Sequence, residues 1–542
     1  MVRLQLIYFA GNFGMLKRGL KYIILLTWSI IMTACAVQSS PDGGAKDTTP
    51  PEAVRVEPPN RTTNFEGQSV AITFDEYVKV DGFTSQFISS PPLKYKVEHS
   101  LRGKTLRIEF QDTLRPNTTY TFSFGNAIKD ITENNAQTEF KYVFSTGAVL
   151  DSQIVRGRVT DAFTNEAQKG IMVAMYEPDS EDSVFMKEVP LYYGLTNATG
   201  SYTIENVAPG NYKIFAIQDN DFNYLWSGPS ERMAFVDEII TSERDPEVDF
   251  ELFKLPAAYR FYRGKLLSFG KIEAYFSSPA QGVEFTRLDT SNAQHFVEYP
   301  ENGDTIFFYT NQWKDGEQAS WSVYDEATSS LDTMTIRFIE KDTVKFKLNL
   351  EKTSAFSPAD SIISIASTPI TELDESRVFV YRNDSVPIPF TVTQSGPRRI
   401  RLSVDAQYND RLRWVLDSGA VKDLHGRWND STSQGLRFLA DNELSIFHLV
   451  VKSDSLTTRV VEIYNDKGNV AYRSGFTQQI NIDLFDIEPQ KYHVRVIYDR
   501  NGNGKWDTGG YFNRTQPERV IYLDKTIELR ANWEIDETWI IP

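Results

Sequence analysis

The chain has 542 residues, with 73 acidic against 57 basic side chains and a formal net charge of −16. That balance excludes a general nucleic-acid binder, whose phosphate partner needs a basic surface, and it suits a soluble, self-repelling surface in an aqueous compartment. Cys35 is the one cysteine in the sequence, so disulfides within the chain, structural cysteine clusters and iron–sulfur centres are excluded by count.

Lys17, Arg18 and Lys21 lead into an apolar run over 22–32, which closes on Thr33, Ala34 and Cys35. A basic flank, a short apolar stretch and small residues at a cut describe a secretory signal peptide over 1–34, too short to span a bilayer stably. The competing reading is a membrane-spanning anchor whose cysteine is incidental. Met15 makes the better start, since it leaves the basic residues at the N-terminus. The segment Met32-Thr33-Ala34-Cys35 resembles a bacterial lipobox. That resemblance implies a signal removed, fatty acid such as palmitate on Cys35, and a mature chain tethered to a membrane. Ala36 does not resemble an inner-membrane retention signal, so the outer membrane is expected, with the periplasmic or cell-surface face left open. Residues 35–46, polar and rich in Gly, Ser and Pro, read as the lipidated cysteine and a flexible spacer.

Beyond the spacer the chain reads as all-β, a series of β-sandwich domains. Over 47–150, Val70, Ile72 and Phe74 alternate with polar residues, as do Leu106, Ile108 and Phe110, then Tyr120, Phe122 and Phe124, then Phe140, Tyr142 and Phe144. Period-two alternation puts each set on one strand face, and turn-rich segments between them favour a sandwich. Asp-Thr-Thr-Pro-Pro at 47–51, Ile-Thr-Phe-Asp-Glu at 72–76, Leu-Arg-Pro-Asn-Thr-Thr-Tyr at 114–120 and Phe-Ser-Thr-Gly at 144–147 resemble the bacterial Ig-like domain of surface-layer proteins.

Residues 151–250 carry Gly157, Gly170, Gly200 and Gly210 spaced among Val159, Tyr202, Ile204 and Tyr212. The glycines are expected at turns that need positive φ and the apolar residues in a core. Their order resembles carboxypeptidase-regulatory, or prealbumin-like, sandwiches, which implies a non-catalytic spacer or adhesive rib. Residues 251–342 form a further β-domain without a resemblance, with Ile272, Ala274, Phe276, Ile306, Phe308, Tyr309, Trp321, Val323 and Tyr324 as its expected strand residues.

Over 343–442 the first pattern returns in Ile363 and Ile365, Val378 and Val380, Ile400, Leu402 and Val404, and Leu412, Trp414 and Leu416. Gly-Ala-Val-Lys-Asp at 419–423 echoes Gly-Asn-Ala-Ile-Lys-Asp at 125–130, which points to a divergent Ig-like repeat. Over 443–542, Tyr-His-Val-Arg-Val-Ile-Tyr-Asp at 492–499 echoes Tyr-Lys-Ile-Phe-Ala-Ile-Gln-Asp at 212–219, which makes a second prealbumin-like unit. The lipobox, the 43–51 segment and this order of units together resemble Ig-like-domain lipoproteins common in Bacteroidota-type Gram-negative bacteria. The resemblance implies no defined biochemical role.

Chemistry has one candidate. Asp499, Asn501, Asn503 and Asp507 place oxygens at positions 1, 3, 5 and 9 of an EF-hand-type loop, Gly504 stands at 6, and Lys505 at 7 offers its backbone carbonyl. Position 12 is Gly510 where an acid belongs, so Ca2+ would need another ligand, Glu518 being the nearest acid. A hairpin turn built from Asn, Gly and Asp explains the same residues without metal, and both readings stand. Asp219, Asp221 and Asn223 form a poorer copy. His99, His295, His425, His448 and His493 are scattered and make no metal-spaced pair. Asp75 and Glu76 neighbour each other on a strand and so point to opposite faces. Ten Asp-Ser or Asp-Thr steps, from Asp47-Thr48-Thr49 to Asp454-Ser455-Leu456, are similar to an O-glycosylation signal of exported Bacteroidota-type proteins and equally fit turn chemistry. The expectation is a non-enzymatic envelope lipoprotein acting as a scaffold, adhesion or binding module. The membrane is reached through the lipid, and an envelope protein or glycan is the partner. The alternative is a glycan-binding or glycan-processing lipoprotein with its site in 251–342.

Overall fold

The Val70, Ile72 and Phe74 alternation becomes the strand Ser69–Phe74, whose inward residues are buried and outward ones half-exposed. The protein is seen here in a computed structural model that describes residues 47–542 apart from 258, 280, 281, 290–294, 301, 302, 304, 312, 327, 340–344, 353, 354 and 384. The expected signal peptide over 1–34, Cys35 and the expected spacer lie outside the described residues. The structure is an all-β series of tandem β-sandwiches.

In the first sandwich Ser69–Phe74 lies between Ala53–Glu57 and Thr105–Glu109, with Glu98–Arg102 completing a four-stranded sheet. Ile88–Ser90, Thr119–Ser123 and Lys141–Ser145 make the facing sheet. Aromatic rings fill the space between. Phe122 meets Phe110 edge-on at 5.6 Å and Phe144 at 5.3 Å, the geometry that aligns ring edge with ring face. Thr119 and Thr121 fall on the outward phase of their strand yet are buried, because the second sandwich covers them: Asn206 Nδ2 donates to Thr121 Oγ1 at 2.8 Å and the Asp151 amide donates to Thr119 Oγ1 at 2.9 Å.

The echo between 125–130 and 419–423 is a repeat of topology. In the first unit Val78–Val80 pairs with Ile128–Asp130, and in the fourth Ile370–Leu373 pairs with Val421–Asp423. Asp130 and Asp423 end these strands buried, each accepting backbone N–H bonds from the loop that follows. The four-stranded sheet built on Ser69–Phe74 has its counterpart in Leu348–Leu350, Ile362–Ala366, Arg399–Val404 and Phe390–Gln394. One phase differs from expectation. The core face of Ile362–Ala366 carries Ile362, Ser364 and Ala366, while Ile363 and Ile365 are half-exposed. A one-residue slip exchanges strand faces, and Ser364 is accepted inside because its hydroxyl donates to the Asn349 carbonyl at 3.2 Å.

The second and last sandwiches match in the same way. Gln153–Asp161 pairs parallel with Phe250–Lys254, and Ser445–Ser453 pairs parallel with Glu534–Ile541. Met172–Tyr176, Asn211–Ile217 and Arg232–Phe235 correspond to Arg459–Asn465, Lys491–Ile497 and Val520–Tyr522. Tyr212 and Tyr492 each turn the hydroxyl back to a carbonyl four residues upstream, Ala208 and Glu488. Because Phe250–Lys254 closes the second sandwich and buries Leu252, Phe253 and Leu255, that unit runs past the expected boundary at 250. Gly170 and Gly200 do take positive φ. Gly157 does not; it sits mid-strand where a Cβ would fall 1.9 Å from the Val248 carbonyl oxygen, so close backbone approach demands it.

The described residues of 261–337 form a sandwich of a four-stranded and a three-stranded antiparallel sheet around Ile272, Phe308 and Trp321. The third and fourth units meet where Glu298 takes Arg398 through two bonds of 2.8 and 2.9 Å and the Phe269 ring meets His425. The fourth and fifth meet where Lys352 bridges Asp360 and Glu488. The last unit then returns to the second, so units two to five form a closed circuit.

Candidate functional site

That return contact is made by the Asp/Asn-rich loop and the segment after it. Two consecutive glycines let the chain come down on the second sandwich: a Cβ on Gly509 would stand 2.7 Å from the Phe253 ring. Tyr511 then enters an aromatic recess, meeting Phe185 at 5.0 Å, Phe235 at 5.1 Å and Phe215 at 5.6 Å, all edge-on. It is 1% exposed and its hydroxyl donates to the Asp182 carbonyl at 2.8 Å. Burial pushes its hydroxyl pKa up to about 12. Arg514 pairs with Asp182 at 2.9 Å, Gln516 Nε2 donates to the Phe235 carbonyl, and Thr508 Oγ1 donates to the Lys254 carbonyl. Trp506 packs edge-on against Phe163 at 5.1 Å, and Tyr522 donates to the Phe163 carbonyl.

The loop that leads into this clasp is knit by its own bonds. Asp499 is buried and accepts from the amides of Gly502, Asn503 and Gly504. Asn501 and Asn503 both direct their side-chain NH2 to Asp507, at 2.6 and 2.8 Å, and Asn503 Oδ1 accepts from the Lys505 amide. Glu518 accepts from the amides of Arg500 and Asp507, and burial with Asp507 and Asp499 nearby raises its pKa. The second sandwich repeats the arrangement group for group. Glu231 accepts from the amides of Asn220 and Ser227, and the Trp226 indole donates to the Glu231 carbonyl just as Trp506 donates to that of Glu518. Here the carboxylates converge: Asp219, Asp221 and Glu231 bring one oxygen each within 4.8 Å of the others. Burial, with the Asp221 carboxylate adjoining, raises the Asp219 pKa. The copy that is poorer by spacing is thus the one whose acids come together.

Where the second, third and last sandwiches meet, the clasp encloses a cleft of about 1690 Å³. One wall comes from 251–342 through Tyr262 and residues 277–279. The two carboxylates among its described lining residues are both committed. Asp161 binds Arg232 at 2.7 Å, and the buried Glu462 binds Arg473 at 2.5 Å and Arg495 at 2.6 Å. Arg495 also lies over the rings of Phe163 and Tyr464. Charge-assisted bonds of this kind fix each carboxylate against its guanidinium partner. Sequence reading did not single out Tyr511, Trp506, Glu462 or the three arginines; the Gly509-Gly510 pair before Tyr511 was the available signal of a close approach.

The first sandwich decides the family of that unit. Residues 47–146 match the family described as bacterial Ig-like domain. The chain therefore carries a bacterial Ig-like domain. No curated protein sequence matches. Among solved structures the chain is similar to the major pilin subunit of Bacillus cereus, at 10% identity over 72% of this chain and 99% of that one, with a TM-score of 0.13. It is also similar to surface layer protein SbsC, at 11% identity over 89% of this chain and 67% of that one, with a TM-score of 0.16. An I-band fragment of titin aligns at 10% identity over 53% and 100%, with a TM-score of 0.12. These are loose superpositions.

Proposed function

We propose that this chain is a non-enzymatic scaffold or adhesion protein of the cell envelope, a Bacteroidota-type Ig-like-domain lipoprotein held at the outer membrane by lipid on Cys35. The observation that carries the reading is the closed circuit of sandwiches. Units two to five brace one another through Arg398–Glu298, Lys352–Glu488 and the Tyr511 clasp, so loops and strand edges are held at fixed separations, as presentation to a partner requires. A lipid tether would then concentrate that partner at the envelope. Replacing Cys35 by Ser and fractionating cells tests the anchor: the protein leaves the membrane fraction, and sedimentation unchanged from wild type defeats the lipid reading. Protease shaving of intact cells assigns the face. A pull-down that recovers neither an envelope protein nor a glycan counts against the scaffold reading.

Glycan binding is the second reading, favoured by the large cleft with Tyr262 exposed in one wall. The committed state of Asp161 and Glu462 speaks for binding over hydrolysis. Calcium belongs to the proposal as a stabiliser of the acidic loops, since a hard cation needs several converging oxygens. Asp219, Asp221 and Glu231 supply them in one copy. In the other, Asp499, Asn501, Asn503, Asp507 and the Lys505 carbonyl would have to turn from their present bonds, with Glu518 adding charge.

A further inference from the structure

The two related sandwiches differ at one edge. In the second, the edge strand Tyr192–Leu195 is covered by the first sandwich: Tyr192, Tyr193 and Gly194 are buried, and the Tyr193 amide donates to Ser90 Oγ at 3.1 Å. Its counterpart in the last sandwich, Val470–Phe476, ends its sheet with Arg459–Asn465 as its neighbour. Val470, Ala471 and Arg473 are exposed on it. Among the described residues no other strand pairs with it, and its first half lines the cleft.

An open edge is a row of unmet N–H and C=O groups, ready to accept an extended chain. The charge beside it narrows what that chain is. Arg232, Arg473 and Arg495 face only Asp161 and Glu462, while Lys254 and Lys505 are exposed with no ion partner among the described residues. Among the described lining residues, five cations against two carboxylates make this cleft a basic recess on a chain whose net charge is −16. At about 1690 Å³ it exceeds the roughly 300–1,000 Å³ of a small-molecule pocket and leaves room for a strand with side chains.

We infer that the cleft takes an extended acidic peptide segment of a partner protein, added as a strand to the edge Val470–Phe476 and held by Lys254, Lys505 and Arg473. This deepens the scaffold reading by naming its partner's chemistry and rests on it. The backbone supplies register and the lysines select charge, which makes binding sensitive to salt.

The test uses the purified full-length chain and a fluorescent eight-residue peptide of alternating Val and Glu, read by anisotropy. The expected result is saturable binding that weakens with salt, falls at least about tenfold in the Lys254→Glu, Lys505→Glu double variant, and is lost when alternate peptide nitrogens are methylated to block strand addition. Both lysines are exposed, and unchanged thermal unfolding of the double variant shows that the fold is intact. Equal binding of the methylated peptide, or indifference to the charge reversal, overturns the proposal. So does binding of polygalacturonate in place of the peptide, which makes the recess a glycan site. Any of these failures leaves the anchor and scaffold to their own tests with Cys35→Ser and the pull-down.

Discussion

Replacing Tyr511 by Ala should open the circuit of sandwiches. The ring is 1% exposed and touches three aromatic rings of the second sandwich, so its removal forfeits what a buried large aromatic contributes, about 3–5 kcal/mol. The bond from its hydroxyl to the Asp182 carbonyl adds about 1 kcal/mol. The cost falls on the docking of two units that remain joined through the third and fourth, so the closing equilibrium weakens by about three to four orders of magnitude at about 1.4 kcal/mol per decade. Tyr511→Phe keeps the ring and should lose only the hydroxyl's part. Small-angle scattering on the three proteins reads the result directly: a larger radius of gyration for the Ala variant, and a profile close to wild type for Phe. Limited proteolysis should cut the Ala variant near 505–516 first. A Tyr511→Ala protein with unchanged scattering and an unchanged denaturation midpoint would refute the clasp as the element that closes the circuit.

Gly157→Ala sets a Cβ against the Val248 carbonyl oxygen at 1.9 Å and should destabilise the second sandwich by about 3 kcal/mol or prevent its folding, as read by urea denaturation. Gly435→Ala, where a Cβ meets nothing within 4 Å, is the matched control and should leave the midpoint unchanged or slightly raised. His425, half-buried against Phe269 between the third and fourth units, has its pKa lowered to about 4 from the ordinary 6.5 by desolvation there. The unfolded chain therefore binds the proton first, so this contribution is complete above about pH 6.5 and fades as pH falls toward 4, by up to about 3 kcal/mol. Urea midpoints at several pH values should be less pH-dependent in His425→Phe than in wild type, and equal slopes would refute the assignment. Calcium should raise the unfolding temperature, a gain of about 2.7 kcal/mol at a hundred times the dissociation constant. An Asp219→Asn, Glu231→Gln variant that keeps the whole rise would place the ion elsewhere.

Strands built on alternation were legible, because one buried face imposes period two on the residues themselves; Val70, Ile72 and Phe74 are an instance. Repeats were legible through short phrases, since buried Asp130 and Asp423 perform the same loop-bonding task in both copies. The phase of Ile362–Ala366 was not, because three isoleucines fill both faces and a bonded serine takes the inward position. Burial of Thr119 and Thr121 escaped for a different reason: a neighbouring unit, absent from any local pattern, covers them. The same holds for the clasp and the cleft. Each depends on residues more than 250 positions apart, such as Thr508 and Lys254, and no periodicity within a segment encodes such a pair.

Tyr511 and Asp182 are 329 positions apart, and this sets an order on how the protein is made. Synthesis delivers the second sandwich first, with Phe185, Phe215 and Phe235 lining a recess whose plug has not yet been translated. For several hundred residues of elongation that aromatic surface faces water or whatever escorts the nascent chain. The last unit thus completes the second one's core, and a chain truncated before it should emerge sticky rather than merely shorter.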